Sequence, residues 1–127
     1  MKSGLILFAH GARDPRWSAP FEAVAAQIRK RHGEAEVRLA FLEFMAPDLA
    51  TAGADLARAG CRQVTVVPMF LGAGGHVRKD LPMLLEQLRQ AWPDVGFALQ
   101  PAIGEVPSVV AAMAEAAAAG LLPEAAA

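Results

Sequence analysis

Residues 63–91 read QVTVVPMFLGAGGHVRKDLPMLLEQLRQA. Gln63 to Leu71 is β-branched and apolar, which predicts a strand. Pro68 within it removes a ladder donor and so marks a strand end or an edge. A glycine-rich stretch follows, and from Arg78 to Ala91 the residues Leu81, Leu84, Leu85 and Leu88 recur at helical spacing. Trp92-Pro93-Asp94 closes that helix. An apolar strand, a glycine turn and an amphipathic helix in succession make one β-α unit, and such units assemble parallel sheets.

The same unit recurs on both sides. Gly4 to Ala9 is apolar on both faces, as a fully buried strand must be, and Pro20 to Arg31 follows with Phe21, Val24, Ala25 and Ile28 on one helix face. Glu36 to Phe44 (EVRLAFLEF) predicts a second strand, and Asp48 to Ala59 a second helix with Gly60 beyond it as a C′ residue. Val95 to Leu99 and Val106 to Ala119 predict a fourth strand and a fourth helix. The fold expected is α/β, a three-layer domain with about four parallel strands, right-handed crossovers and helices on both faces. The domain is expected over residues 1–120, with a short tail over 121–127 that is either frayed or docked on a partner.

Composition narrows the function classes. A length of 127 residues allows one core rather than two, and a net charge of −1 argues against a nucleic-acid binder with a broad basic face. Cys61 is the only cysteine, so no intramolecular disulfide forms, as expected in a reducing compartment. The apolar run Leu5 to Ala9 is too short for a signal-peptide core, and no stretch reaches membrane-spanning length. A cytoplasmic protein without membrane or nucleic-acid partners is expected.

Ligands of an open parallel sheet bind outside the carboxyl ends of its strands. The first strand ends at His10-Gly11-Ala12-Arg13-Asp14, the second at Glu43-Phe44, and the third runs into Gly72 to Asp80 with His76 among its glycines. A lone histidine there can simply cap a strand end. Gly11 beside His10 permits close approach of another group, and a glycine loop is a poor place for a core histidine, so the pair favours function. Two imidazoles and a carboxylate suit Co²⁺, Ni²⁺, Fe²⁺ or Zn²⁺, and ligand type alone does not choose among them. A closed structural zinc site lacks its four ligands.

Glu43 follows Leu42 in an apolar run, so burial would raise its pKa and fit it as a general base; a salt bridge to Arg13 or Arg78 is the equal alternative. Arg13, Arg16, Arg78 and Lys79 bracket the two histidines and suit a polycarboxylate ligand. Gly72 to Gly75 matches neither GxGxxG nor a P-loop. No elbow motif surrounds Ser3, Ser18 or Ser108, and Cys61 falls on the opposite edge from the histidines. His32 is expected in solvent at the end of the first helix. Met69, Phe70 and Met83 are assigned to the core.

FAHGARDPRW at 8–17, VRLAFLEF at 37–44 and VVPMFLGAGGHVRKDLP at 66–82 resemble the short sirohydrochlorin chelatases, from about Leu5 to Met113. The GGHxRxD ending of the third strand carries most of that specificity. The resemblance implies paired metal-binding histidines at His10 and His76, and an acidic residue near the metal at Glu43. It also implies a homodimer whose two copies imitate the halves of longer chelatases, with the tetrapyrrole between them. Two departures stand out: Phe44-Met45-Ala46-Pro47, where relatives often carry a more polar stretch, and Ile103 to Pro107, where many relatives have a histidine. Glu105 in that turn either joins the site or favours the N-terminus of the last helix, the latter being expected.

The activity expected is insertion of a divalent metal ion, Co²⁺ first and Fe²⁺ or Ni²⁺ next, into sirohydrochlorin in cobalamin or siroheme biosynthesis. The metal is a substrate and no organic cofactor is required. His10, Glu43 and His76 carry the chemistry, while Arg13, Arg78 and Lys79 hold the ring carboxylates. The alternatives are a non-catalytic metal or tetrapyrrole carrier using the same histidines, and a histidine-phosphatase-like hydrolase. For the hydrolase, His10-Gly11-x-Arg13 is similar to the phosphohistidine motif, but Ala9 stands where that motif has an arginine.

Overall fold

The structure, a computed structural model, describes residues 2–72 and 74–121, with every side chain in those spans except that of His76. Four strands, β1 (Lys2–Ala9), β2 (Glu36–Phe41), β3 (Cys61–Pro68) and β4 (Gly96–Leu99), form one parallel sheet in the order β2-β1-β3-β4. The two strands apolar on both faces are therefore central. The outer places go to β2, which carries Arg38, and to β4, of only 4 residues.

Helix α1 (Ala19–Arg31) joins β1 to β2, α2 (Leu49–Arg58) joins β2 to β3, and α3 (Gly75–Ala91) joins β3 to β4. α2 and α3 cover one face, where Leu56, Leu85 and Leu88 pack on Ile6, Phe8, Val64, Val66 and Phe97. α1 lies on the other face, with Ala25 and Ile28 on Leu7, Val37 and Val67. The chain moves one way across the sheet through α1 and back through α2 and α3, so right-handed crossovers put them on opposite faces. α4 (Pro107–Ala118) follows a 3-10 turn at Ile103–Glu105. The expected tail from residue 122 onward lies outside the described residues.

Several expected boundaries shift, β1 beginning at Lys2 and β3 at Cys61, and three of the shifts have a local reason. β2 stops at Phe41 rather than Phe44 because β1, its pairing partner, ends at Ala9, level with Phe41. The N–H of Phe41 turns to the Pro47 carbonyl (2.9 Å), and Phe44 adopts φ 66°. α3 starts at Gly75 rather than Arg78, with extended Gly74 as N-cap accepting from Arg78 N–H at 3.0 Å. β3 ends at Pro68, which cannot donate to a further ladder bond.

Each outer strand is met by an arginine from the helix before it. Arg29 Nη2 donates to the Val37 carbonyl at 2.8 Å, and Arg89 Nη2 to the Phe97 carbonyl at 2.7 Å. Arg38 on β2 also pairs with Asp55 (2.6 Å) and Glu36 (3.0 Å). The Arg38 guanidinium, with Lys2 assisting, holds the Glu36 carboxyl below its usual range.

Candidate functional site

At the carboxyl edge of the sheet, His10 is the first residue beyond β1 and is exposed. The register pairs Phe8 with Pro68, so two residues further along each chain His10 comes level with Phe70. Their rings meet with centroids 4.6 Å apart, tilted by 41°. Phe70 is itself buried and touches Phe8 edge-on at 6.0 Å. The imidazole therefore stands on an aromatic base anchored in the core, which orients it while leaving it open to solvent. Phe70, assigned to the core from sequence, serves the site as well, and the strand register is the signal that places it there.

The loop after β1 is fastened to the loop after β2. Leu42 N–H donates to the Ala9 carbonyl at 2.9 Å and Glu43 N–H to the His10 carbonyl at 3.0 Å. Gly11 makes this possible: its φ is +89°, and a Cβ there would collide with the Glu43 carbonyl oxygen. Glu43 is thus adjacent to His10, but exposed. The expectation of a buried carboxyl base at this position is corrected, because β2 ends two residues earlier and Glu43 leaves the apolar layer.

His76 stands in the first turn of α3, in the connection that follows β3, the strand beside β1. It is in a helix rather than a loop, and its side chain lies outside what the structure describes. Among the described residues no three His, Cys, Asp or Glu side chains converge on a metal position.

The basic residues divide. Arg13 places its guanidinium carbon 4.9 Å from the centre of the Phe44 ring. Phe44 is 57% exposed, so the pair forms part of the open rim. Arg16 is engaged with Asp14 at 2.9 Å, where Asp14 caps the 3-10 turn Pro15–Ser18; hydrogen bonds from Arg16 lower the Asp14 pKa. Arg78 Nη2 lies 3.6 Å from Glu105 Oε1. Glu105 thus reaches toward α3 while standing two residues before Pro107, the first residue of the last helix. Lys79 is exposed on α3, as is Met83, which was expected in the core. His32 is exposed at the C-cap of α1. Cys61 is buried at the amino edge of the sheet, and that burial pushes its thiol pKa up.

A groove of about 450 Å³ runs beside this edge, lined by Pro68, Val77, Arg78, Leu99 and Glu105 among others. A larger one, about 700 Å³, lies between α1 and the outer strand β2 and takes in none of the expected site residues. Of the expected site residues, Arg78 lines the first groove, while His10, Arg13 and Glu43 stand outside its lining.

The CbiX family model matches residues 4–119. The chain belongs to the CbiX family. The sirohydrochlorin cobaltochelatase of Methanosarcina acetivorans is 33% identical over 84 residues, 66% of this chain and 65% of that protein. The one from Saccharolobus solfataricus is 34% identical over 82 residues, covering 65% of this chain and 62% of its own length. The matched stretch thus spans a little under two thirds of these curated relatives.

Among solved structures, the CbiX protein of Marinobacter aquaeolei VT8 superposes with a TM-score of 0.81 at 34% identity. The match covers 94% of this CbiX chain and 97% of that one. SirB from Bacillus subtilis with Fe³⁺ superposes with a TM-score of 0.80 at 22% identity, covering 97% of this chain and 49% of SirB, a likeness of fold. No described helix of this CbiX chain is long and apolar enough to cross a membrane.

Proposed function

We propose that this chain inserts a divalent metal ion, cobalt before ferrous iron or nickel, into sirohydrochlorin. The observation that carries the reading is His10, exposed at the carboxyl end of a central strand, oriented by Phe70 and followed by Arg13 on an exposed rim. Its support is the family and the cobaltochelatases the chain is similar to.

Metalation needs a partly desolvated cation at the ring face and removal of two pyrrole protons. His10 and His76 hold the metal, a substrate here, with water in its remaining positions. Glu43, joined to His10 through the backbone, stands beside it, and from its exposed position can take a proton from the ring and release it to solvent. Arg13, Arg78 and Lys79 meet the peripheral carboxylates. The work is positioning and proton removal, and it calls on no organic cofactor.

A planar macrocycle has two faces, and the open edge of one chain covers one of them. We infer a homodimer with the ring between two carboxyl edges. In keeping with that, one copy supplies about as much fold as half of SirB.

The test is anaerobic absorbance of sirohydrochlorin with catalytic amounts of protein and Co²⁺, Fe²⁺ or Ni²⁺ in turn. Spectral conversion over many turnovers, lost in His10→Ala and in His76→Ala while both variants stay folded, is the expected result. Conversion no faster than without protein, with ring or metal still bound, would replace the enzyme by a carrier. Unchanged turnover in His10→Ala would remove that residue from the mechanism.

A further inference from the structure

Phe44 stands in a conformation that its residue type resists. Its φ is 66°, and among the described residues no other non-glycine residue has a positive φ. Crowding of Cβ against the backbone makes this left-handed region costly, and glycine or asparagine is its usual occupant. Burial does not repay the cost, because Phe44 is 57% exposed. A residue held in such a place is imposed by its surroundings, and these outliers gather where a side chain has to be aimed.

The surroundings are the two fastened loops. Glu43, the residue before, donates its N–H to the His10 carbonyl at 3.0 Å, and its own carbonyl oxygen occupies the space where Gly11 has no Cβ. Phe44 therefore leaves directly from the junction, while Arg13 lies two residues beyond Gly11 on the other loop. Their side chains meet across it, the Arg13 guanidinium carbon standing 4.9 Å from the centre of the Phe44 ring.

The neighbouring cations are held differently. Arg16 is paired with Asp14 at 2.9 Å, and Arg78 has Glu105 Oε1 at 3.6 Å. Among the described residues Arg13 pairs with no carboxylate. An aromatic face attracts a cation through its quadrupole. It takes none of the guanidinium's N–H donors and leaves the charge whole. Arg13 is thus steadied without being spent, and its planar fork stays free for a bidentate carboxylate. Ordering a long, exposed side chain beforehand also lowers the entropy lost when a ligand arrives.

We propose that Phe44 is a positioning residue, whose ring presents the Arg13 guanidinium to a carboxylate of the tetrapyrrole. This rests on the substrate reading above and adds the device that aims one of its cations. The π face holds the arginine, not the volume of the side chain, so tyrosine can replace phenylalanine and leucine cannot.

The test is anaerobic titration of metal-free sirohydrochlorin, followed by its absorbance, beside steady-state metalation with Co²⁺. In Phe44→Leu both Kd and KM should rise about two- to fivefold with kcat held, the size of an exposed cation–π contact. Phe44→Tyr should restore both. In an Arg13→Ala background Phe44→Leu should add nothing, since the phenyl ring acts through the arginine. A further loss of the same size there would overturn the positioning role. Phe44→Gly separates binding from folding: freed of the left-handed strain, it should have a urea midpoint no lower than that of Phe44→Leu while binding as weakly. A midpoint well below it would mark the ring as structural and overturn the proposal. The titration needs no turnover. A wild type that binds the macrocycle without metalating it would overturn the activity, and the same Kd ratios would still decide for or against Phe44. A wild type that binds no macrocycle would overturn both.

Discussion

Gly11 joins the two loops that shape the candidate site, and replacing it separates two costs that usually come together. In Gly11→Ala the new Cβ meets both a backbone φ of +89° and the Glu43 carbonyl oxygen. The left-handed conformation costs a non-glycine residue about 1–2 kcal/mol. Relief of the collision pulls the two loops apart and weakens the bonds from Leu42 N–H to Ala9 and from Glu43 N–H to His10. Each such bond contributes about 1 kcal/mol.

The expected total is about 2–4 kcal/mol, a fall in Tm on the order of 10 °C for a chain of this size. Gly60→Ala is the internal reference: its φ is +93°, yet nothing lies within 4 Å of the added Cβ, so only the conformational cost remains. Gly33→Ala has neither cost and should stabilise by about 0.4–1 kcal/mol. Urea unfolding of the three variants with an unchanged m-value gives the ranking. Equal losses in Gly11→Ala and Gly60→Ala would refute the close approach of the two loops. Because the collision also displaces His10, metal insertion by folded Gly11→Ala should fall at least tenfold.

Leu85 is fully buried between α3 and the sheet, and Leu85→Ala should cost about 2–5 kcal/mol in urea unfolding. Asp48 caps α2 by accepting from Thr51 N–H at 2.8 Å, and that bond lowers its pKa below the ordinary 3.8. The folded state therefore holds this proton less tightly than the unfolded state, so the contribution is present above pH 3.8 and is lost as pH falls through the depressed value. Asp48→Ala should cost about 1 kcal/mol at pH 7 and less in acid, as pH-dependent urea midpoints would show. Cys61, buried and with its thiol pKa raised by that burial, should resist a thiol reagent in the native protein and react at once in denaturant. Rapid native labelling would contradict its packing.

The alternation of strand and helix was readable because buried parallel strands and amphipathic helices leave different periods in a sequence. Segment ends were harder. VRLAFLEF is apolar to its last residue, yet a strand extends only as far as its neighbour pairs with it, and the end of β1 at Ala9 is a property of the sheet, not of that segment. The exposure of Glu43, two residues beyond the end of β2, has the same origin. Gly74 and Gly75 read as loop because glycine disfavours helix interiors, whereas at an N-cap and first position it is tolerated. His10 and Arg13 stood out by residue type. The aromatic base Phe70 did not, since only the register of β1 against β3 puts it under His10. Nor does an alanine-rich segment without a polar face say which surface it packs on, and none of the residues of α4 is buried among the described residues of its own chain.

The arginines on the outer strands bear on how this protein survives at high concentration. An open sheet flanked by apolar layers can grow by recruiting strands from other molecules, ending in aggregates. On β2 an approaching strand would have to displace the guanidinium of Arg29 from the Val37 carbonyl, and on β4 that of Arg89 from Phe97. Each displacement exchanges a charge-assisted bond for an ordinary peptide one and strands a cation in a crowded place. Both margins of the sheet are in this way closed to polymer growth, each by the last turn of a helix already needed for the crossover.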